Sequence, residues 1–136
     1  MAYADAQSGA IIHYGGSPGT VKLGGVVSKG DAIGISSGVW VRALATVTTV
    51  VQLRAVAAED GATDQEITAY FGIVIMGGRI SGATAGGALY VAEGSDSGEY
   101  IQAIPTTTGD ATTVVGYMLS ATIGVITPSF NTDSVA

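Results

Sequence analysis

Residues 72–78 read Gly-Ile-Val-Ile-Met-Gly-Gly, residues 86–92 read Gly-Gly-Ala-Leu-Tyr-Val-Ala, and residues 100–105 read Tyr-Ile-Gln-Ala-Ile-Pro. Each is a short apolar run bounded by small or polar residues, which is the pattern of a β-strand between tight turns. Glycine supplies the positive backbone φ angles that such turns need. A polar tip at residues 93–99 joins the second run to the third. The stretch predicts an all-β unit, and it contains no recognisable catalytic motif.

The same turn, strand, tip and strand occur earlier in the chain. Residues 30–36 (Gly-Asp-Ala-Ile-Gly-Ile-Ser) align with residues 86–92, and residues 38–44 (Gly-Val-Trp-Val-Arg-Ala-Leu) align with residues 98–104. Two related hairpins suggest duplicated β units. We therefore predict an all-β fold: a small Gly-rich β-barrel or β-sandwich with an extended N-terminal arm.

Alternation of apolar and polar residues predicts further strands. Residues 47–55 alternate with a period of two, as in a half-buried strand. A helix over residues 50–58 is the alternative, because Gln, Leu, Arg and Ala favour it, whereas the β-branched residues at 46–51 favour a strand. The remaining predicted strands are residues 67–76, 115–121 and 123–127.

The chain divides into a central domain and two flanks. Residues 1–20 hold few core residues and are predicted to form an N-terminal arm, with the β domain at 21–128 and a C-terminal tail at 129–136. Within the arm, only residues 11–14 could form a short strand. Such an arm cannot offset its own ordering entropy, so we expect it to order on a partner or a neighbouring subunit. A frayed terminus is the alternative.

Composition restricts the partners of the chain. Of its 136 residues, 47% are hydrophobic and only 12% are charged, with a formal net charge of −6. So few charges predict self-association or docking on a partner. Nucleic acid is not an expected partner, because the five basic residues are scattered. With no cysteine, there are no disulfides or thiolate metal sites. The sequence shows neither a signal peptide nor a membrane-spanning segment, so we expect a soluble protein.

Candidate catalytic and metal-binding patterns each have a simpler interpretation. Residues 34–38 match G-x-S-x-G, but no helix follows and the single histidine, His13, lies upstream, so we interpret them as a hairpin turn. Glu93, Asp96 and Glu99 could attract Ca²⁺, but they lack EF-hand spacing and are interpreted as a solvated tip. We predict no catalytic residues, no metal site and no cofactor.

In order and spacing, these segments resemble the small decoration (cement) proteins of tailed bacteriophage capsids. The resemblance covers roughly residues 21–127 and rests on the Gly30-Asp31 turn and on four segments. These are residues 55–60 (Ala-Val-Ala-Ala-Glu-Asp), 71–74 (Phe-Gly-Ile-Val), 85–91 (Ala-Gly-Gly-Ala-Leu-Tyr-Val) and 115–119 (Val-Gly-Tyr-Met-Leu). Where such proteins often have Gly-Asp before the second strand, this chain has Gly86-Gly87, so the turn chemistry differs there.

The resemblance implies a β domain, commonly trimeric, on the outer face of a phage head, made in the bacterial cytoplasm and carried by the virion. The implied partner is the major capsid protein, and no enzymatic activity is implied. The arm supplies the candidate contacts to the capsid or to neighbouring subunits, which are Tyr3, Ile11, Ile12, His13 and Tyr14. The alternative is a carbohydrate- or receptor-binding β module of a phage tail or fibre.

Overall fold

The computed structural model describes residues 2–136 and contains thirteen β-strands and no helix in that range. The strands are β1 (Ala4–Asp5), β2 (Ile11–Gly15), β3 (Pro18–Lys22), β4 (Ala32–Ser36), β5 (Val39–Arg42), β6 (Ala55–Ala57), β7 (Glu66–Tyr70), β8 (Val74–Gly77), β9 (Ile80–Ser81), β10 (Ala88–Val91), β11 (Tyr100–Ile101), β12 (Gly116–Met118) and β13 (Gly124–Ile126).

The strands form three antiparallel sheets. One has six strands in the order β11-β10-β12-β13-β8-β2, one has five in the order β3-β7-β6-β4-β5, and β1 pairs with β9. The prediction of an all-β fold is confirmed. The sheets are not closed into a barrel, and their arrangement is compatible with a small β-sandwich.

The core consists of two buried clusters. The larger combines residues of the six-stranded sheet, such as Val74 and Leu89, with Ala32 and Val56 of the five-stranded sheet, so these two sheets pack against each other. The smaller is formed by the five-stranded sheet and adjacent loops around Leu23, with Trp40 packed against it. The five-stranded sheet is therefore covered on both faces, whereas the six-stranded sheet buries one face.

Both predicted hairpins are present, and they lie in different sheets. In the first, Ser36 pairs with Val39 across Ser37 and Gly38, whose φ angles are 52° and 82°. Two consecutive positive φ angles are the signature of a type I′ turn, which glycine favours. The G-x-S-x-G pattern is thus a hairpin turn. In the second, β10 pairs with β11 through its longer tip.

Residues 47–55 do not form the predicted strand. Thr48 has a φ of 77°, and Leu44 pairs with Val51, so the chain reverses here and strand β6 begins only at Ala55. The helix considered for residues 50–58 is not formed either. The predicted strand at 67–76 is divided between β7 and β8, which belong to different sheets.

Residues 2–20 differ from the predicted arm, because they are built into the sheets; Met1 lies outside the described residues. Strand β1 pairs with β9, β2 pairs with β8, and β3 pairs with β7. The boundary predicted at residue 20 falls inside β3. Residues 2–20 have few apolar side chains, and backbone pairing with three other strands orders them instead. The strand expected at residues 11–14 is present as β2.

Candidate interaction surfaces

The exposed side of the six-stranded sheet is free of charge. None of its six strands contains Asp, Glu, Lys or Arg. Directly paired residues of antiparallel strands project to the same face. The register therefore places one row of side chains across the sheet from β2 to β10: Tyr14, Ile75, Val125, Tyr117 and Ala88. We call the face that carries this row the outer face.

The outer face leaves large apolar groups in contact with solvent. Ile11 is 58% exposed, Tyr14 56% and Tyr117 45%, and Leu119, two residues after Tyr117, is 52% exposed. Val125, in the same row, is buried. An apolar patch of this kind on a protein surface is typical of an interaction site.

Three of the five residues predicted to contact a capsid or subunit are exposed on strand β2. Ile11 pairs with Gly77, whereas Tyr14 pairs with Ile75, so His13 is an extra residue in a β-bulge. The His13 imidazole lies over Gly77. A bulge inserts one unpaired residue and redirects the strand. It allows Ile12 to point to the core while Tyr14 remains on the outer face.

The other two predicted contact residues pack against the core. Ile12 and Tyr3 both border the larger buried cluster. The Tyr3 hydroxyl donates a hydrogen bond to the Tyr100 carbonyl oxygen. Burial, reinforced by the nearby Asp5 carboxylate, raises the pKa of Tyr3. Ile12 and Tyr3 therefore present less side-chain surface to a partner than the other three residues do.

A second apolar surface was missed by the sequence analysis. It is a groove of about 490 Å³ lined by Ile35, Trp40, Arg54, Phe71, Pro128, Ser129 and Phe130. The Trp40 and Phe71 rings meet edge to face with centroids 5.5 Å apart. Phe130 is 94% exposed. The only signal for this groove in the tail was a single aromatic residue among small and polar residues at 129–134, and a single residue has no periodicity.

A network of buried charges fastens the N-terminal segment to the domain. Arg79 binds Asp5 and Asp31, at 2.9 and 2.8 Å, and the other oxygen of Asp31 accepts a hydrogen bond from Arg42 at 2.7 Å. Two arginines and two aspartates make the group electrically neutral. Such pairing is what permits charges to be buried. Because every member is bound to protein groups, we interpret this network as structural.

Two side chains of the acidic loop at residues 59–66 accept hydrogen bonds from the backbone of neighbouring segments. Asp60 accepts a hydrogen bond from the Lys29 amide at 2.7 Å, and Glu59 accepts one from the Thr68 amide at 3.0 Å. No three His, Asp or Glu residues come together as a potential metal site within residues 2–136. The same residues include no helix long and apolar enough to cross a membrane.

No protein-family model matches this chain, and neither the curated proteins nor the solved structures compared with it give a match.

Proposed function

We propose that this protein is a structural virion protein, a decoration protein that binds the outer surface of a bacteriophage head as a homotrimer and has no enzymatic activity. The observation that supports this most directly is the uncharged outer face of the six-stranded sheet. Together with the resemblance of residues 21–127 to phage decoration proteins, it favours a role in protein–protein contact.

The distribution of charge supports self-association through this face. The chain has a formal charge of −6. Two copies therefore repel each other wherever the acidic loops of one copy face those of the other. Like charges across an interface are costly, whereas an uncharged face avoids that cost. Tyrosine is enriched at protein interfaces because it combines a large apolar ring with a hydroxyl. Tyr14 and Tyr117 supply two such rings on the outer face.

Two separate apolar surfaces fit a subunit that needs two kinds of contact. A trimer on a capsid requires one contact between copies and another with the shell. The outer face belongs to the six-stranded sheet, and the groove at Trp40 and Phe130 lies against the five-stranded sheet and the tail. We assign the outer face to contacts between copies and the groove to contacts with the major capsid protein.

The alternative function, a carbohydrate- or receptor-binding module of a phage tail or fibre, has one observation in its favour. The groove contains Trp40 and Phe71, and aromatic rings can stack on sugars. However, the groove lining contains no Asp, Glu, Asn or Gln side chain that could accept hydrogen bonds from sugar hydroxyls. We therefore favour docking of a protein over binding of a sugar.

The test introduces a charge on the outer face. Tyr117→Asp places a carboxylate within the row, at a side chain that is 45% exposed and does not belong to the buried core. We expect a monomer mass by light scattering where the wild type is trimeric, and loss of co-sedimentation with heads that lack the protein.

The matched control is Ala62→Asp, which adds the same charge to an exposed position of the acidic loop. It should keep both the trimer and the capsid binding. A wild-type protein that is monomeric at micromolar concentration and does not bind heads would contradict the proposed function. A Tyr117→Asp protein that remains trimeric would refute the role of the outer face.

A further inference from the structure

A carboxylate oxygen is buried without a hydrogen-bond donor near one end of the molecule. Asp110 is 1% exposed, and its Oδ1 accepts a hydrogen bond from the Val47 amide at 2.7 Å. Its Oδ2 is buried and has no hydrogen-bond partner within the part of the chain that the structure describes. Leaving a buried charged acceptor unsatisfied costs more than leaving a neutral one. A proton or a cation bound to Oδ2 would remove this cost.

The neighbouring acid is Glu93, at the start of the hairpin tip, and Asp110 raises the pKa of Glu93, first as a hydrogen-bond partner and then, after burial, through its charge. Residues 45–47 bring the two acids together. The Ala45 amide donates to Ala92 O at 2.9 Å, and Thr46 Oγ1 accepts from the Gly94 amide at 2.7 Å. Both backbone neighbours of Glu93 are thus fixed to the segment that also holds Asp110.

The stretch of sequence that carries this pair is acidic. Residues 93–110 contain four acidic residues and neither lysine nor arginine. The charged group that acts on Glu93 is Asp110 itself. A shared proton would neutralise one carboxylate only, whereas a divalent cation neutralises both. Glu93 is largely exposed, so its side chain can move aside to admit an ion.

We propose that Asp110 Oδ2 and the Glu93 carboxylate bind a divalent cation of the Ca²⁺ type. Ca²⁺ takes six to eight oxygen ligands in a flexible geometry, and here water fills the positions that the two carboxylates leave. With two charged ligands, we expect a dissociation constant of about 10⁻⁴–10⁻³ M. The bound ion would tie the hairpin tip at 93–99 to the loop at 106–110 and, through Val47, to the reversal at 45–51.

The test is the thermal unfolding of the full-length protein at constant ionic strength, with CaCl₂ and, in parallel, with a chelator. Because an ion that binds only the folded state raises its stability, 10 mM CaCl₂ should raise the melting temperature by roughly 5–10 °C. Mg²⁺ should give a smaller shift, because it demands octahedral geometry and gives up its water reluctantly.

Two variants and one control test whether Asp110 and Glu93 cause the Ca²⁺-dependent shift of the melting temperature. Asp110→Asn and Glu93→Gln should each abolish the Ca²⁺-dependent shift, and Glu93→Gln keeps the test valid if Asp110→Asn fails to fold, since Glu93 is exposed. Asp96→Asn removes the same charge from the same tip and should retain the shift.

Two outcomes would overturn the proposal. One is a melting temperature unaffected by Ca²⁺; if that temperature also falls as the pH rises and loses this dependence in Glu93→Gln, the two carboxyl groups share a proton instead. The other is a shift that survives in Glu93→Gln but not in Asp96→Asn. Neither outcome bears on the phage function, because the measurement uses the isolated protein.

Discussion

The Arg79 guanidinium binds both carboxylate oxygens of Asp5, with Nε 2.9 Å from Oδ1 and Nη2 3.0 Å from Oδ2. The two residues are 74 positions apart in sequence, and both side chains are fully buried. Nη1 of the same guanidinium binds Asp31 at 2.8 Å. The N-terminal segment thus supplies one of the two carboxylates that permit a charged arginine inside the protein.

We predict that Asp5→Ala destabilises the protein by about 3–5 kcal/mol, because it leaves a buried arginine with half of its partners. Chemical denaturation measures this change. Asp64→Asn is the control: Asp64 is exposed with a φ of 70°, which asparagine also tolerates, so its stability should stay within about 0.5 kcal/mol of the wild type. An Asp5→Ala variant as stable as this control would contradict the assigned role.

The N-terminal segment also shows why part of the fold could not be predicted from sequence. Strand periodicity and turn residues identified β2, both hairpins and the all-β class, because these depend on local patterns. The anchoring of Asp5 depends on Arg79 and Asp31, which are distant in sequence, and no local pattern indicates a pair of that kind. The low apolar content of residues 1–20 therefore led to the prediction of a loose arm.

The failed prediction at residues 47–55 has a different cause. Thr48 adopts a left-handed backbone conformation, which β-branched residues rarely do. The sequence therefore has no typical turn residue at this position from which the turn could be predicted. The Val47 amide is held by Asp110, and Val51 pairs with Leu44. Tertiary contacts thus override an alternation that is typical of a strand. The groove residue Phe130 was missed because a single aromatic residue has no period.

Gly34 provides a second prediction, which concerns close packing between backbones. A Cβ atom added there would lie 2.0 Å from the Gln52 carbonyl oxygen and 2.8 Å from Val51 Cγ1. Since the oxygen belongs to the backbone, relieving the clash requires the strand to move. We expect Gly34→Ala to lower the free energy of unfolding by about 1–3 kcal/mol, the usual cost of overpacking, or by more.

Gly25→Ala is the matched control for that substitution. A Cβ atom at Gly25 meets no atom within 4 Å. Replacing glycine by alanine where the backbone permits it reduces the entropy of the unfolded chain, so the control should be neutral or up to about 1 kcal/mol more stable. Equal stabilities of the two variants in urea would show that the approach of Gln52 to Gly34 does not restrict this position.

The third prediction concerns alkaline pH. Tyr100 is fully buried, and its hydroxyl donates a hydrogen bond to Gly30 O at 2.9 Å. Burial raises the pKa of Tyr100 well above its ordinary value, with Arg79 opposing the rise and Asp31 adding to it. The folded state therefore holds this proton more tightly than the unfolded state does. The resulting stability is fully present below the unfolded pKa of about 10 and is lost as the pH rises above it.

Tyr100→Phe should therefore reduce the fall of stability between about pH 10 and 12, where each such tyrosine contributes a slope of up to about 1.4 kcal/mol per pH unit. Tyr3 acts in the same direction, so the doubly substituted Tyr3→Phe, Tyr100→Phe protein should lose most of the slope. At neutral pH, loss of the bond to Gly30 O should cost Tyr100→Phe about 1–2 kcal/mol. An unchanged alkaline slope in the double variant would exclude these tyrosines as its source.

The last prediction concerns Arg54, which fixes the tail on both sides of Phe130. Its Nη1 donates to the carbonyl oxygens of Ser129 and Asn131, at 3.0 and 2.9 Å, and its Nη2 donates to Thr132 Oγ1 at 3.0 Å. With both neighbouring carbonyls held, the backbone at Phe130 is fixed at the rim of the groove, while the side chain is 94% exposed. An aromatic residue whose backbone is positioned in advance loses less entropy when a partner covers it.

We expect Arg54→Met to release residues 129–132 while the sheets remain folded, because methionine replaces the apolar part of the side chain but none of its donors. Hydrogen bonds to charged groups contribute about 1.5–3 kcal/mol each, so cleavage after Phe130 by chymotrypsin should become at least about 10-fold faster. Lys22→Met removes the same charge from an exposed position of β3 and should leave that rate unchanged. If both variants are cleaved at the wild-type rate, the remaining contacts of the tail, such as the bond from the Val135 amide to Asp110 O, hold Phe130 without Arg54.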